Sequence, residues 1–381
     1  MGPLRGKKLL RNLDFTLLLA VAGVVLLGLV TIASATHATG GGSADSLYYV
    51  KMQLVWICLG LVSLGAILLW RYEELAKYSR LLYAVNLVML GAVLVVGREA
   101  LGAQRWIQIG PFSFQPSEFA KLFIIITLAT FLSKREGRLK RFRDLLPVFA
   151  YVALPMLLIL KQPDLGTSLV LLAITFGMLF VAGVRPSLLV LLGGGGAVGM
   201  GFWIWAALKY GVWIPLKDYQ LTRLTIFLDP WQDWQGAGYH MIQSQIAIGS
   251  GGPLGRGLFN GTQNQLNFLP EQHTDFIFSA FAEEWGFAGA LVLLCLLFIV
   301  LYRALRIALH AKDTFGTLVA TGIASMLIFH ILINIGMTMG IMPVTGIPLP
   351  FFSYGGSAML TNMSSLGLLL NIWVRRRQII F

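Results

Sequence analysis

Several charged side chains stand where an apolar chain has little reason to hold them. In LPEQHTDFIFSAFAEEWG (269–286), Asp275 sits at the threshold of an apolar run that continues to residue 301. An ionised carboxylate at the edge of a hydrocarbon-length segment costs free energy unless something compensates or uses it, and proton abstraction is one such use. In SFQPSEFAKL (113–122), Glu118 and Lys121 are three apart and share a helical face, as a local ion pair or as a working acid and cation. Arg105 and Trp106 in GAQRWIQIG (102–110) can anchor the chain at an interface or offer donors to phosphate oxygens. Asp164 in QPDLGTS (162–168) is explained by helix capping. Its rival reading has Asp164 and Asp275 facing one wet cavity and holding a divalent cation. His273 and Arg256 complete the set as substrate-binding candidates.

Each has a plainer neighbour. Asp275 can merely cap a helix, with Ser279, Ala282 and Gly286 on its face allowing close packing rather than leaving room for a ligand. The stretch GSGGPLGRGLFNG (249–261) lacks the Gly-Lys-Ser/Thr ending of a nucleotide loop and follows no strand, so a flexible turn is expected. His240, His273 and His330 have no metal-ligand spacing, and zinc is not expected. MPVTGIPLPFFSYGGSA (342–358) packs proline and glycine into a non-helical connection, which is tolerated at membrane depth where protein buries it or it lines a cavity.

The elements that must position these residues follow from composition. With 57% hydrophobic and 12% charged residues and a mean hydropathy of +0.76, 381 residues cannot form a soluble domain. An all-α polytopic membrane protein is expected, a single membrane domain over 1–381. At about 20 apolar residues per crossing there are about ten spans: 15–36, 51–70, 81–97, 119–133, 145–160, 167–184, 187–208, 276–302, 316–337 and 355–374. The first reads as a span and not a cleaved signal peptide, because no small-residue cleavage pattern follows it. The net charge of +12 does not point to nucleic acid. Most Lys and Arg residues fall in alternate short connections: Arg5, Lys7, Lys8 and Arg11; Arg71, Lys77 and Arg80; Lys134 through Arg143; Arg185; Arg303, Arg306 and Lys312; and Arg375 to Arg377. That bias places both termini in the cytoplasm and Asp45, Glu99, Glu118, Asp164, Asp218, Asp229, Asp233, Glu271, Asp275, Glu283 and Glu284 outside or at the outer edge. Cys58 and Cys295 both fall in spans, so no disulfide framework is expected. Two outer segments are long enough for chemistry: 98–118, with a short interfacial hairpin at 102–110, and 209–275, between spans seven and eight. In the latter, YHMIQSQIAIG carries Tyr239, Ile242, Ile246 and Gly249 at the spacing of an amphipathic helix on the membrane surface.

Taken together, GAQRWI, FQPSEFAK, QPDLGTS, GAGYHMIQSQIAIGSGG, LPEQHTDFIF and N-x5-GIMPVTGIPLPFFSYGGSA from Asn334 resemble, in order and over nearly the whole chain, the blocks of the SEDS family (shape, elongation, division and sporulation). GTQNQLNFLPEQHTDFIF is more similar to the elongation branch than to the division branch. The resemblance implies a ten-span peptidoglycan glycosyltransferase of the bacterial cytoplasmic membrane. Its substrate would be lipid II, a disaccharide-peptide on undecaprenyl diphosphate, polymerised at the outer face with a class B penicillin-binding protein as transpeptidase partner. Membrane lipids are expected contacts, and nucleic acid is not.

The resemblance also implies that Asp275 is indispensable, that Glu118 and Lys121 are the family's polar pair and that Asp164 is the acid of its QPDLG block. The expected chemistry is inverting. Asp275 takes the proton of a GlcNAc 4-hydroxyl, Glu118 positions Asp275 or Lys121, and Lys121 and Arg105 neutralise the diphosphate. A divalent cation, Mg or Mn, would be held through Asp164, with no organic cofactor. The residues alone leave two other classes open: a lipid II flippase, which would release its substrate unchanged, and a scaffold for the penicillin-binding partner, in which Asp275 would be dispensable.

Overall fold

In a computed structural model of the chain, the residues described are 12–37, 47–100, 103–110, 112–214, 218–233, 236–266, 268–269 and 271–376. Arg5, Lys7, Lys8, Arg11, Asp45 and Arg377 lie outside them. The architecture is helical, as expected. Long helices α1 (Phe15–His37) and α2 (Tyr48–Leu69), a single turn α3 (Tyr72–Leu75) and α4 (Ser79–Val96) come first. Then follow α5 (Pro116–Ser133), α6 (Phe142–Lys161), α7 (Leu165–Val181) and α8 (Pro186–Tyr210). The large segment supplies α9 (Asp218–Leu228), α10 (Ala237–Gly251) and the short α11 (Thr262–Gln265). Three long helices close the chain: α12 (Ile277–Leu309), α13 (Thr314–Thr338) and α14 (Gly356–Val374).

Nine of these helices are long and apolar enough to cross a membrane among the described residues. The expected sixth span is the remaining one, the 17-residue apolar α7. Proline at the first turn of α5 and α8 presets the helical φ where a missing N–H costs nothing. The centre of the bundle is α5, α13 and α14, whose most apolar windows are 78%, 67% and 89% buried, whereas that of α8 is 0% buried and lies at the periphery. Central helices therefore carry the polar residues, which lipid would penalise, and peripheral helices meet lipid with apolar side chains.

Charge sorts to the two ends. Asp14, ahead of α1, accepts Arg303 Nε from α12 at 2.7 Å. Glu73 pairs with Lys312, and Tyr72 donates to Asp313, at that same end. Glu118, Asp164 and Asp275 stand at the other. Between α4 and α5 the chain forms a three-stranded antiparallel sheet, β1 (Arg98–Ala100), β2 (Ala103–Ile109) and β3 (Phe112–Phe114), with β2 central. The expected single hairpin is thus two hairpins sharing a strand.

Two expectations change on packing. The small face of α12 is not room for a ligand: Ser279 Oγ lies 2.6 Å from Ser244 Oγ of α10, and Ser244 also donates to Thr338 O at 2.7 Å. The helix α10 is therefore docked on protein through Met241, Ser244 and Ala247, and leaves Gln245, Ile246 and Gly249 outward. The glycine-rich 249–257 stretch is not a flexible turn either. Helix α12 is interrupted at Gly286 (φ 64°, ψ −164°), and the glycine loop fills the break. Phe287 N donates to Gly252 O at 2.9 Å and Ala288 N to Pro253 O at 3.0 Å, while Arg256 N and Gly257 N donate to Glu283 O and Glu284 O, both at 3.0 Å. Backbone groups freed by a break at membrane depth would each cost several kcal/mol unpaired, and here the loop pairs them.

A Cβ on Gly286 would lie 2.2 Å from Gly255 N, in a backbone region open in practice to glycine alone. Gly286→Ala is expected to destabilise by at least about 1–3 kcal/mol from strain and to lower the melting temperature of the purified protein by several degrees. An unchanged melt would show that the loop does not depend on the break.

Candidate active site

The site is built where α5, α7, α12 and α13 end at the face opposite Arg303. Asp164 caps α7, accepting Thr167 N at 3.1 Å and Thr167 Oγ1 at 2.9 Å. Ser117 Oγ (3.3 Å) and Gln115 Nε2 (3.5 Å) also reach it from the start of α5. Arg105, from β2, donates through Nε to Gln162 O at 3.1 Å and through Nη2 to Pro163 O, which presses its guanidinium onto the turn that carries Asp164. The strand alternation aims neighbouring Trp106 the other way.

One turn into α5, Lys121 is buried at 1% exposure and Glu118 at 5%, with Lys121 Nζ 2.8 Å from Glu118 Oε1. A second partner was not foreseen: His330 Nε2 of α13 lies 3.2 Å from Lys121 Nζ. Its Nδ1 lies 3.3 Å from Pro348 O. A carbonyl can only accept, so Nδ1 carries the hydrogen and Nε2 accepts from the ammonium. Two of the three donors of Lys121 are thereby used, and the third is left for an anion. Glu118 thus contacts Lys121, one of the two residues it was expected to position. Arg105, Gln115, Glu118, Lys121, Asp164, Thr167 and His330 share one cavity of about 40 Å³, closed on its far side by Gly346, Ile347 and Pro348. That volume admits about one to a few waters.

Asp275 is not part of that lining; it stands across the 342–348 connection. A Cβ on Gly346 (φ 72°) would sit 3.1 Å from Asp275 Oδ2 and 4.0 Å from Arg223 Nη1 of α9. The expected cavity shared by two carboxylates is therefore divided by the Gly346 backbone. Asn334 ties the partition down, donating from Nδ2 to Asp275 O at 2.9 Å and to Ile347 O at 2.7 Å. Arg223, like Asn334 and His330, was not among the expected site residues. It donates to Val344 O at 3.4 Å from the large outer segment, and no spacing in the sequence links it to Asp275. Burial, with Glu271 adding to it, raises the Asp275 carboxyl to about 6, against the opposing pull of Arg223 and Arg105. Such a group is ionised at neutral pH yet basic enough to accept a proton.

Two candidates are engaged elsewhere. His273 packs in a ring cluster with Tyr49 (4.7 Å) and Tyr354 (5.7 Å), and burial lowers its pKa, so it supplies no cation at neutral pH. Arg256 is exposed and donates to Ser250 O (3.2 Å) and Thr262 Oγ1 (2.8 Å), bracing the glycine loop rather than lining the cavity. For a cation, the described residues contain no cluster of three His, Cys, Asp or Glu side chains. Asp164 Oδ1 accepts a single bond, from Thr167 N, and so keeps spare capacity. That suits an ion held mainly by substrate phosphates and water, not a protein cage.

Comparisons with known proteins identify the family. Residues 15–378 match the family of FtsW, RodA and SpoVE, described as cell cycle proteins. The chain is 39% identical to stage V sporulation protein E of Bacillus subtilis over 94% of its length and 96% of that protein's. It is 38% identical to the peptidoglycan glycosyltransferase MrdB of Escherichia coli K12, over 97% and 95% respectively. Among solved structures, the rod shape determining protein RodA of Thermus thermophilus superposes with a TM-score of 0.69 at 32% identity, over 96% of this chain and 98% of that one. A chain from a peptidoglycan synthase complex, whose structure concerns the coordination of polymerization and crosslinking, reaches 0.78 at 35% identity, over 96% and 99%. This multi-pass membrane protein belongs to the FtsW, RodA and SpoVE family of cell cycle proteins.

Proposed function

We propose that the chain is a peptidoglycan glycosyltransferase that polymerises lipid II, with Asp275 as general base. The observation that carries the base assignment is a carboxyl raised to about 6 by burial, set at the edge of an apolar bundle and one backbone partition away from two cations. The 4-hydroxyl of one lipid-linked GlcNAc attacks the anomeric carbon of the other chain. Asp275 takes the hydroxyl proton, the glycosidic bond forms with inversion, and undecaprenyl diphosphate departs with the bonding electrons. Arg105 and the third donor of Lys121 stabilise that departing charge. A cavity of about 40 Å³ cannot take a diphosphate as it stands, so the 342–348 connection must withdraw when substrate enters. A Mg or Mn ion held by Asp164 and the phosphates would add positive charge to the leaving group.

The names of the relatives support the reaction class, and the rod-shape protein of similar fold supports a place in cell elongation. The synthase complex supports a class B penicillin-binding partner. Basic connections at the Arg303 end support a cytoplasmic assignment for that face, both termini included, with Asp275 facing outside.

With purified protein and labelled lipid II, Asp275→Asn is expected to abolish products longer than one disaccharide. Because burial disfavours its ionised form, the variant should melt no lower than wild type at neutral pH. Full polymerisation by the variant would remove the base assignment. Wild-type activity should fall as pH drops through about 6, where the carboxyl protonates; a rate flat from pH 5 to 7.5 would contradict it. Glu118→Gln should differ by losing stability as well, about 3–5 kcal/mol, because the buried Lys121 charge loses its counterion. For the ion, excess chelator should depress polymerisation and added Mg should restore it. Activity indifferent to chelator eliminates the role given to Asp164.

A further inference from the structure

A second cavity, of about 280 Å³, lies at the other end of α5, sixteen residues and roughly 24 Å along the helix from Glu118. Arg80 of α4 and Lys134 and Arg135 just beyond α5 line it, and no carboxylate does. Its remaining wall is Thr127, Thr130 and Phe131 of α5 and Tyr151 of α6, with Ser79 at the first turn of α4. Three features make this more than a solvated basic rim. Arg135 is fixed, its guanidinium 3.9 Å over the Phe131 ring, and its Nη1 is buried with no hydrogen-bond partner. Phe131 is in turn stacked on Tyr151 at 5.0 Å, and Tyr151 on Tyr83 at 4.2 Å, so the floor is rigid. The N-terminus of the 18-residue α4, which has no side-chain cap, adds the positive end of its dipole. A fixed, desolvated guanidinium donor without an acceptor is costly unless an anion supplies one.

We propose that this cavity binds the phosphate of an anionic phospholipid, independently of the glycosyltransferase reading. The apolar surroundings select a lipid over a free anion: Leu81, next to Arg80 on α4, is 60% exposed, and Leu154, one turn on from Tyr151 along α6, is 47% exposed. These side chains are placed for acyl chains while the cations hold the phosphate at headgroup depth. The positive charge therefore acts as a receptor in the membrane-facing groove between α4 and α6.

The test is native mass spectrometry of the full chain in neutral detergent, titrated with phosphatidylglycerol, with phosphatidylcholine and with inorganic phosphate. Wild type should retain phosphatidylglycerol in preference to phosphatidylcholine. At about fivefold per cation near the surface, Arg80→Gln should weaken that preference about fivefold. The double variant R80Q/R135Q should weaken it about thirtyfold. R135K should keep most of it, and K140Q/R143Q, both exposed and outside the cavity, one in the same connection and one in the first turn of α6, should keep all of it. Arg80 is exposed, so its variant keeps the test decisive if the double variant does not fold. A preference that survives in Arg80→Gln, or that falls equally in K140Q/R143Q, overturns the site. Displacement of the lipid by equimolar inorganic phosphate overturns its assignment to a lipid.

Discussion

In hydrocarbon an unpaired backbone N–H or C=O has no water to turn to, and that constraint organises the irregular parts of this fold. Among the described residues the chain departs from helix at membrane depth at the break at Gly286 and in the connection from residue 339 to 355, and both are closed by hydrogen bonds from elsewhere. The glycine loop after α10 supplies partners on both sides of the first. Asn334, through one amide, ties the second to the backbone of Asp275. Below the loop, Glu283 and Glu284 are almost fully buried and accept from Gln263 N (3.0 Å) and Asn264 Nδ2 (3.2 Å), which extends the same docking into side chains. Irregular backbone and buried polar groups are thus one network, and Asp275 hangs from its edge.

The electrostatics of the site follow from unequal compensation. Lys121 and Glu118 compensate each other within 2.8 Å, and His330 takes up a further donor, so this pair is held fixed. Asp164 accepts from Thr167 of the turn it caps and from Ser117 and Gln115, which fixes it in place while Oδ1 keeps room for one more partner. Among the described residues no donor hydrogen-bonds the Asp275 carboxylate, and the nearest charges act on it from a distance. An acid left this way titrates high. The structure therefore separates a reactive carboxylate from structural ones by how many donors each has been given.

The two ends of α5 show one device used twice: a cation fixed by packing with a donor left over. At one end the ammonium of Lys121 faces a cavity too small for more than water; at the other the guanidinium of Arg135 faces one with room for a phosphate. The helix between them is among the most buried in the bundle. A shift along its axis would be felt at both.

Membrane class, the positions of the crossings and the charged residues worth attention were legible in the sequence, because apolar length and lone charges are local properties priced by the bilayer itself. The capping role of Asp164 and the Glu118–Lys121 pair were legible for the same reason, each lying within one helical turn. What the spacing could not show was contact between distant segments. His330 reaches Lys121 across 209 residues, Arg223 lies in a polar segment with no mark of its own, and Gly346 divides two carboxylates that composition would put together. Small residues after Asp275 had two readings, open space or close packing, and the glycines of 249–257 read as a flexible turn. Tertiary structure chose packing, since only the assembled bundle determines which backbone groups are left without water and must find partners in the chain.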